Sequence, residues 1–404
     1  MHPGSRSTDL VRRFRGPVAD EIHVLCRPAD SAADAATQAE SLYRTLLASL
    51  ESEGAGAADL VTETVFFRRI EDADLLRAAA ARVLGGAEGG RCVPSSTMIG
   101  QAPLDGAAFE LAAVARIPRV GGDATSRLVV RRAACGCPAC SAGQSARVLE
   151  VGEQTHVHAG GIHGRGASAT GRGGSAFDEA FAMFCEGEAL LREAGMDFRD
   201  VVRTWIQLRD IDRDYEAFNQ ARREFFASRG VERRPASTGV QGIPDSAAHD
   251  FTLGFQAVRA PKPLEAPTMS TPTLNEAWTY GADFSRGLRL ADANKVVLQI
   301  SGTASIDEEG RSVHVGDFRA QAERMLLNIR ALLEQQGAGF DDLVSAVTYL
   351  KRPQDVGVLR EIYAAHGFRG FPGAIVDAPL CRPELLCEAE AVALLPLGRE
   401  ARGS

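Results

Sequence analysis

Three stretches decide the fold: DLVTETVFF at 59–67, DVVRTWIQL at 200–208 and DLVSAVTYL at 342–350. Each opens on an aspartate and runs into Val, Ile, Thr and aromatic residues, the side chains that suit a pleated, half-buried strand. The three aspartates stand 141 and 142 residues apart, a period too regular for unrelated pieces of helix and strand. Outward from each anchor the same grammar repeats. An amphipathic helix precedes it (35–53, 176–194, 318–336) with a short Gly-containing turn between them; a shorter helix follows (73–84, 215–227, 356–365), then two closing strands. The helix reading rests on apolar recurrence at three and four, as in Met325, Leu326, Ile329, Leu332 and Leu333.

Each copy is therefore expected to be an α+β unit, a small mixed sheet with two helices on one face. The other face must be covered too. Three bowed sheets can turn those faces inward around a shared axis and bury apolar residues that a lone unit would leave wet, which makes the chain an intrachain pseudo-trimer. The expected divisions are a degenerate first repeat at 17–118, a linker with a Cys-rich insert at 119–153, a second repeat at 154–260 and a third at 273–397. The stretch before the third, PKPLEAPTMSTP at 261–272, carries four prolines that block helix and central strand.

With 404 residues the chain needs no disulfide stapling, and 45% hydrophobic with 24% charged residues is ordinary globular composition. A net charge of −8 and no basic run exclude nucleic acid as the main partner. An anionic small molecule requires local arginines aimed into a pocket. No stretch has the ~20 apolar residues of a membrane span, and MHPGSRSTDLVRRFR at 1–15 lacks the apolar segment of a secretory leader, so the expected location is the cytoplasm. Among eight cysteines only Cys135, Cys137 and Cys140 cluster. With His158 on the following strand they could complete a tetrahedral structural zinc site; reduced thiols in an insert are the plainer reading. GRGASATGRGG at 164–174 lacks a Walker lysine and the spacing of a dinucleotide site, and is read as a loop.

Glu388 and Glu390 alternate with Ala389, so on a strand both carboxylates face one side. Position-matching between copies puts Glu110 and Gly254 at the place of Glu388, so this carboxylate is not a scaffold feature. A partly buried carboxyl has its pKa raised by desolvation and can donate a proton at neutral pH.

The repeats, with their DLV-opened strand and terminal E-x-E-A-V-A strand, resemble the Rid/YjgF family of homotrimers with sites between subunits. More specifically, residues 155–395 are similar to the chorismatases, which join tandem Rid-like domains in one chain. The residues carrying this are Arg203-Thr-Trp205, Tyr215, Phe218-Asn219 and Arg222 in the second copy. In the third they are Tyr280-Gly, Phe284-Ser285-Arg286, SGTASI from Ser301, Asp317, Gln321, Asn328 and CRPELLCEAE from Cys381.

The resemblance implies that Glu388 protonates the methylene carbon of the enolpyruvyl ether of chorismate. The oxocarbenium ion is then trapped by water or an internal hydroxyl, releasing pyruvate and a dihydroxycyclohexadienoate or 3-hydroxybenzoate. Cys381 resembles the 3-hydroxybenzoate subgroup. No catalytic cofactor is implied. A substrate with two carboxylates calls for guanidinium partners, for which Arg286 and Arg382 are the candidates, with Arg203 behind them. Tyr280 could donate a hydroxyl, and Gly302 and Ala304 leave room for a ring to approach the backbone. The arginine that grips a carboxylate in Rid proteins falls on Ser237 and Ala374, which weakens imine deamination. Two other readings stay open: a Rid-type enamine or imine hydrolase acting on another small acid, and a non-catalytic ligand-binding pseudo-trimer. Three copies closing a ring internally favour a monomer, with no membrane partner.

Overall fold

The computed structural model describes residues 9–85, 94–119, 124–131, 144–164, 174–262 and 264–401. The first copy contains β1 (Asp9–Arg15), β2 (Ala19–Cys26), α1 (Ala35–Ser52), β3 (Leu60–Phe67), α2 (Ala73–Leu84), β4 (Ser95–Gly100) and β5 (Phe109–Pro118). The second contains β6 (Ala124–Arg131), β7 (Gln144–Val151), β8 (Gln154–Ile162), α3 (Ala176–Glu193), β9 (Val201–Leu208), α4 (Ile211–Arg229), β10 (Ala236–Gln241), β11 (Ile243–Pro244) and β12 (Phe251–Arg259). The third contains β13 (Gly287–Ala291), β14 (Val296–Ala304), α5 (Phe318–Gln335), β15 (Leu343–Leu350), α6 (Val356–His366), β16 (Gly373–Asp377) and β17 (Cys387–Leu395).

The three sheets share one strand order, β1-β2-β5-β3-β4, β7-β8-β12-β9-β10 and β13-β14-β17-β15-β16. The last two strands of each are parallel and joined through a helix, and the other pairs are antiparallel. The repeated aspartates have a local job. Each closes a one-turn helix before its strand, Asp59 accepting from the Gly56 N–H at 2.8 Å, Asp200 from Asp197 at 3.0 Å and Asp342 from Gly339 at 2.9 Å. The long helices begin on side-chain caps at Asp34, Ser175 and Asp317, which satisfy N–H groups the first turn leaves free.

Two features differ from the sequence expectation. Residues 124–131 and 144–151, read as linker, form β6 and β7 and extend the second sheet; the Cys-rich segment between them, with Cys135, Cys137 and Cys140, lies outside the described residues, as do 165–173. The inner faces of the sheets are also not purely apolar: apolar side chains of different copies meet there, as Val61 does with Leu149 and Val151, but charged ones stand among them. The helix-covered faces bury the large apolar clusters, such as Phe184, Phe198, Phe218, Phe225 and Phe255. Toward the axis stand Glu21, Arg116, Lys295, His156, Arg203 and Glu390. Buried charges are tolerated where they are paired, and here they pair across copies: Lys295 Nζ lies 2.6 Å from Glu21 and Arg203 2.8 Å from Glu390.

The copies are further stitched by backbone and amide bonds. β11 pairs with β4, and Leu104 and Asp377 exchange backbone bonds with Ile375 and Ala102. Asn294 Oδ1 accepts from the N–H groups of both Val18 (2.9 Å) and Ala19 (3.0 Å). No helix among the described residues is long and apolar enough to cross a membrane. Removing the Asn294 amide would leave two backbone donors without an acceptor at the junction of copies one and three, costing about 1–3 kcal/mol for each that stays dry. Asn294→Ala should therefore lower the melting temperature measured by calorimetry; an unchanged melt would show that this junction contributes nothing to stability.

Candidate active site

Glu388 and Glu390 occupy one face of β17, opposite Tyr349 and Val347 of β15. On its other side β17 pairs with β14, where the register slips between Ile300 and Thr303. Gly302 sits in that irregularity, and a Cβ there would come within 2.0 Å of Glu388 Oε1. The missing side chain is what lets the Glu388 carboxyl lie against this backbone. Gly302 N–H donates to Thr238 Oγ1 of β10 at 3.0 Å, so the wall behind the acid belongs to the second copy.

Thr238 also accepts from Arg203 Nη2 at 2.7 Å, and the same guanidinium nitrogen is 2.8 Å from Glu390 Oε2. Trp205 Nε1 donates to Glu390 Oε1 at 2.9 Å. Arg203 is thus committed to Glu390 and does not line the cavity in front of Glu388; it is a correction to its reading as a substrate ligand. The short seam between β9 and β17 holds it there, with Trp205 stacked 4.8 Å beneath its guanidinium.

In front of Glu388 lies a cavity of about 300 Å³ between the second and third copies. Arg286, Arg382, Cys381, Gly302 and Ala304 all reach it, so the structure brings these sequence candidates together. Arg286 is positioned by its Nε–H bond to Asn275 O (2.9 Å), and Arg382 by bonds from Nη1 to Gly310 O (2.9 Å) and Ser312 Oγ (3.3 Å). Tyr280 ends a helical turn whose next residues, Gly281 and Ala282, line the cavity; its side chain lies outside the described residues.

Glu388 is only 5% exposed. Burial, helped by the neighbouring Glu390 charge, pushes its pKa up to about 8 against the pull of Arg286, Arg203 and Arg382. The carboxyl is a neutral acid at pH 7. Cys381 is a thiol, its pKa pushed up to about 12 by burial and by Glu388, and it is hydrogen-bonded to the Tyr215 hydroxyl.

One cation that carries the resemblance, but was given no role from sequence, also stands at this site. Arg222 is 4% exposed, lines the cavity, donates from Nη2 to Asn219 Oδ1 at 2.9 Å and lies over the Phe218 ring. Tyr215, Asn219 and Arg222 recur at four and three residues on α4, so they share one helix face; that spacing was the available signal. Asn328 and Gln321 are scaffold: Asn328 holds the Ala304 and Ile306 carbonyls, and Gln321 ties the Glu384–Leu386 loop.

The pairing registers also correct the matching of copies. Glu388 opposite Tyr349 corresponds to Glu110 opposite Phe66 and to Thr252 opposite Gln207; Gly254, opposite Trp205, corresponds instead to Glu390 opposite Val347. The two-residue error is invisible to a face-by-face reading because strand side chains alternate with period two. Glu110 carries a pKa pushed up to about 7 by burial, but Arg27, 2.5 Å away and also paired with Asp105, sits on it. Thr252 bonds His163, which in turn meets Asp245 at 3.1 Å.

His158, proposed as the fourth zinc ligand, lines the chamber on the axis between the sheets, where burial lowers its pKa to about 3. Among the described residues no group of three or more His, Cys, Asp or Glu is arranged to hold a metal ion.

Residues 280–395 match the family model described as Endoribonuclease L-PSP. A RutC family protein of Pyrococcus abyssi is 32% identical over 95 residues, 23% of this chain and 75% of that protein. One of Pyrococcus horikoshii is 31% identical over 97 residues, 24% of this chain and 77% of that protein. Among solved structures, a chorismatase superposes with a TM-score of 0.59 at 18% identity, covering 83% of this chain and 93% of that one. At that identity the likeness is one of fold.

The folded state favours protonated Glu388 between the ordinary carboxylate pKa and about 8, while the unfolded chain ionises across that range, so stability falls as pH rises through it. Glu388→Gln removes this dependence. The variant should melt close to the native protein at pH 4–5 and above it at pH 8–9; parallel melting curves at all pH values would show that the carboxyl is not desolvated.

Proposed function

The chain belongs to the RutC family, the Rid/YjgF-type proteins its repeats resemble, and from that premise we propose that it is a chorismatase-like enzyme that cleaves the enolpyruvyl ether of chorismate. The observation that carries this reading is a neutral, buried Glu388 at the back of a cavity walled by Arg222, Arg286 and Arg382. A dianionic substrate would set its carboxylates on the guanidinium groups, a match of planar donors to planar acceptors that also overcomes the chain's net negative charge.

Glu388 gives its proton to the methylene carbon, the double-bond electrons form the new C–H bond, and positive charge develops at the ether carbon as an oxocarbenium ion. The glutamate left behind is an anion among cations, which stabilises that charge separation. Attack by water or by the ring hydroxyl on this cation, followed by C–O cleavage, releases pyruvate. The Cys381 thiol is compact and poorly hydrated. Beside Tyr215 it excludes attacking water and favours internal capture, toward 3-hydroxybenzoate. None of these steps uses a metal or organic cofactor. Imine deamination has less support, since Ser237 and Ala374 stand where that chemistry's arginine belongs.

Incubation with chorismate should yield pyruvate at a rate that falls about 100-fold or more in Glu388→Gln, the usual weight of a general acid. Loss of the proton above pH 8 should cut kcat/KM about tenfold per unit. No pyruvate from folded native protein would remove the proposal. Cys381→Ala should move the product ratio toward the hydrolytic diene, and an unchanged ratio would refute its role.

A further inference from the structure

The three sheets enclose a second chamber on the pseudo-threefold axis, about 200 Å³ in volume and separate from the cavity at Glu388. Its charges are partly settled among themselves. Glu21 takes Arg116 Nη2 at 2.9 Å, Lys295 Nζ at 2.6 Å and His23 Nε2 at 2.9 Å. That leaves Arg116 with Nε and Nη1 buried and without a hydrogen-bond partner among the described residues, although the residue is only 9% exposed. His158 Nε2 is in the same position, close enough to Arg116 for the guanidinium charge to bear on the ring. A buried donor left unmade is costly, more so when charged.

Val24, Val61, Val114, Leu149, Val297 and Val392 give the wall an apolar part, beside polar residues such as Thr62, Glu63, Thr97, Asp292 and Gln299. An engineered apolar cavity of about 150 Å³ in another protein accepts benzene, so this chamber has room for one six-membered ring and a small head group. Unpartnered Arg116 donors beside a run of valines fit an amphiphile, and neither a bare inorganic anion nor a neutral hydrocarbon meets both.

We propose that the axial chamber is a second small-molecule site that takes a compact ring carboxylate, its anionic head on Arg116 and His158 and its ring on the valine wall. The site does not depend on the chemistry assigned to Glu388. It gives the first copy a function, because Arg116 comes from β5. Trp205 lines the chamber while its indole N–H holds Glu390, so its fluorescence reports occupancy.

The test titrates benzoate into the full chain, following tryptophan fluorescence and calorimetric heat, with inorganic phosphate as the head-group-only control. Native protein should bind benzoate saturably and phosphate at least about tenfold more weakly. Arg116→Gln should weaken benzoate about tenfold or more. A Cβ on Gly254, which also lines the chamber, meets its neighbours no closer than 3.4 Å, so Gly254→Val can fold while its branches fill the space. This variant should abolish binding, and it carries the test if Arg116→Gln does not fold. No saturable binding to folded native protein, phosphate binding as tight as benzoate, or binding that survives Gly254→Val would each overturn the proposal.

Discussion

A carboxyl group withdrawn from water next to a second carboxylate is the constraint on which the site depends. Two residues apart on β17, Glu388 and Glu390 necessarily share a face, and two ionised carboxylates there would repel in a poorly screened space. The chain resolves this by giving them different surroundings. Glu390 receives Arg203 and Trp205 from the second copy, one donor for each oxygen. Glu388 receives the bare backbone of Gly302 and a cavity, and keeps its proton. One carboxylate becomes a strut between copies, and the other becomes an acid.

The three seams show how much of this is local. At the seam of copies two and three, the acid, three arginines and a cavity coexist. Glu110 occupies the same sheet position in the first copy, yet Arg27 from its own chain segment covers the carboxyl and Arg360 from the third copy adds its charge nearby. In the second copy the position is Thr252, fully buried and bonded into a chain that runs through His163 to Asp245 and on to Arg77 of the first copy. The scaffold permits three sites, and side-chain choice closes two of the corresponding positions.

Much of this was legible in the sequence because it is written as periodicity. The anchoring aspartates, the helices at 35–52, 176–193 and 318–335 and the shared face of Glu388 and Glu390 follow from spacing alone. The convergence of Arg286, Arg382 and Cys381 followed from the resemblance of the last two copies to a tandem family. What escaped were properties set between elements far apart in the chain. Arg203 reads as a free cation until Glu390, 187 residues later, is found beside it. Arg222 carries part of the resemblance but has no role until the cavity is found in front of it. The insert was read as linker because Gly and Arg around 119–134 mask the strand pattern of 124–131, which completes its pairing only with β7.

The polar axis has a further consequence for why three copies share one chain. In a homotrimer every residue near the axis appears three times, so a lysine or glutamate there faces two copies of itself, and the charges must be shed or repel. Fusion removes that restriction. Lys295 from the third copy can meet Glu21 from the first, and Gln299 from the third can donate to Gln256 from the second at 2.9 Å. A heterogeneous interior of this kind, with opposite charges paired across copies, is accessible only to non-identical repeats. The same freedom lets a mutation at one seam alter one position without altering the others, so a carboxyl can stay protonated in front of a cavity at one seam while its counterparts are recruited to hold the ring together.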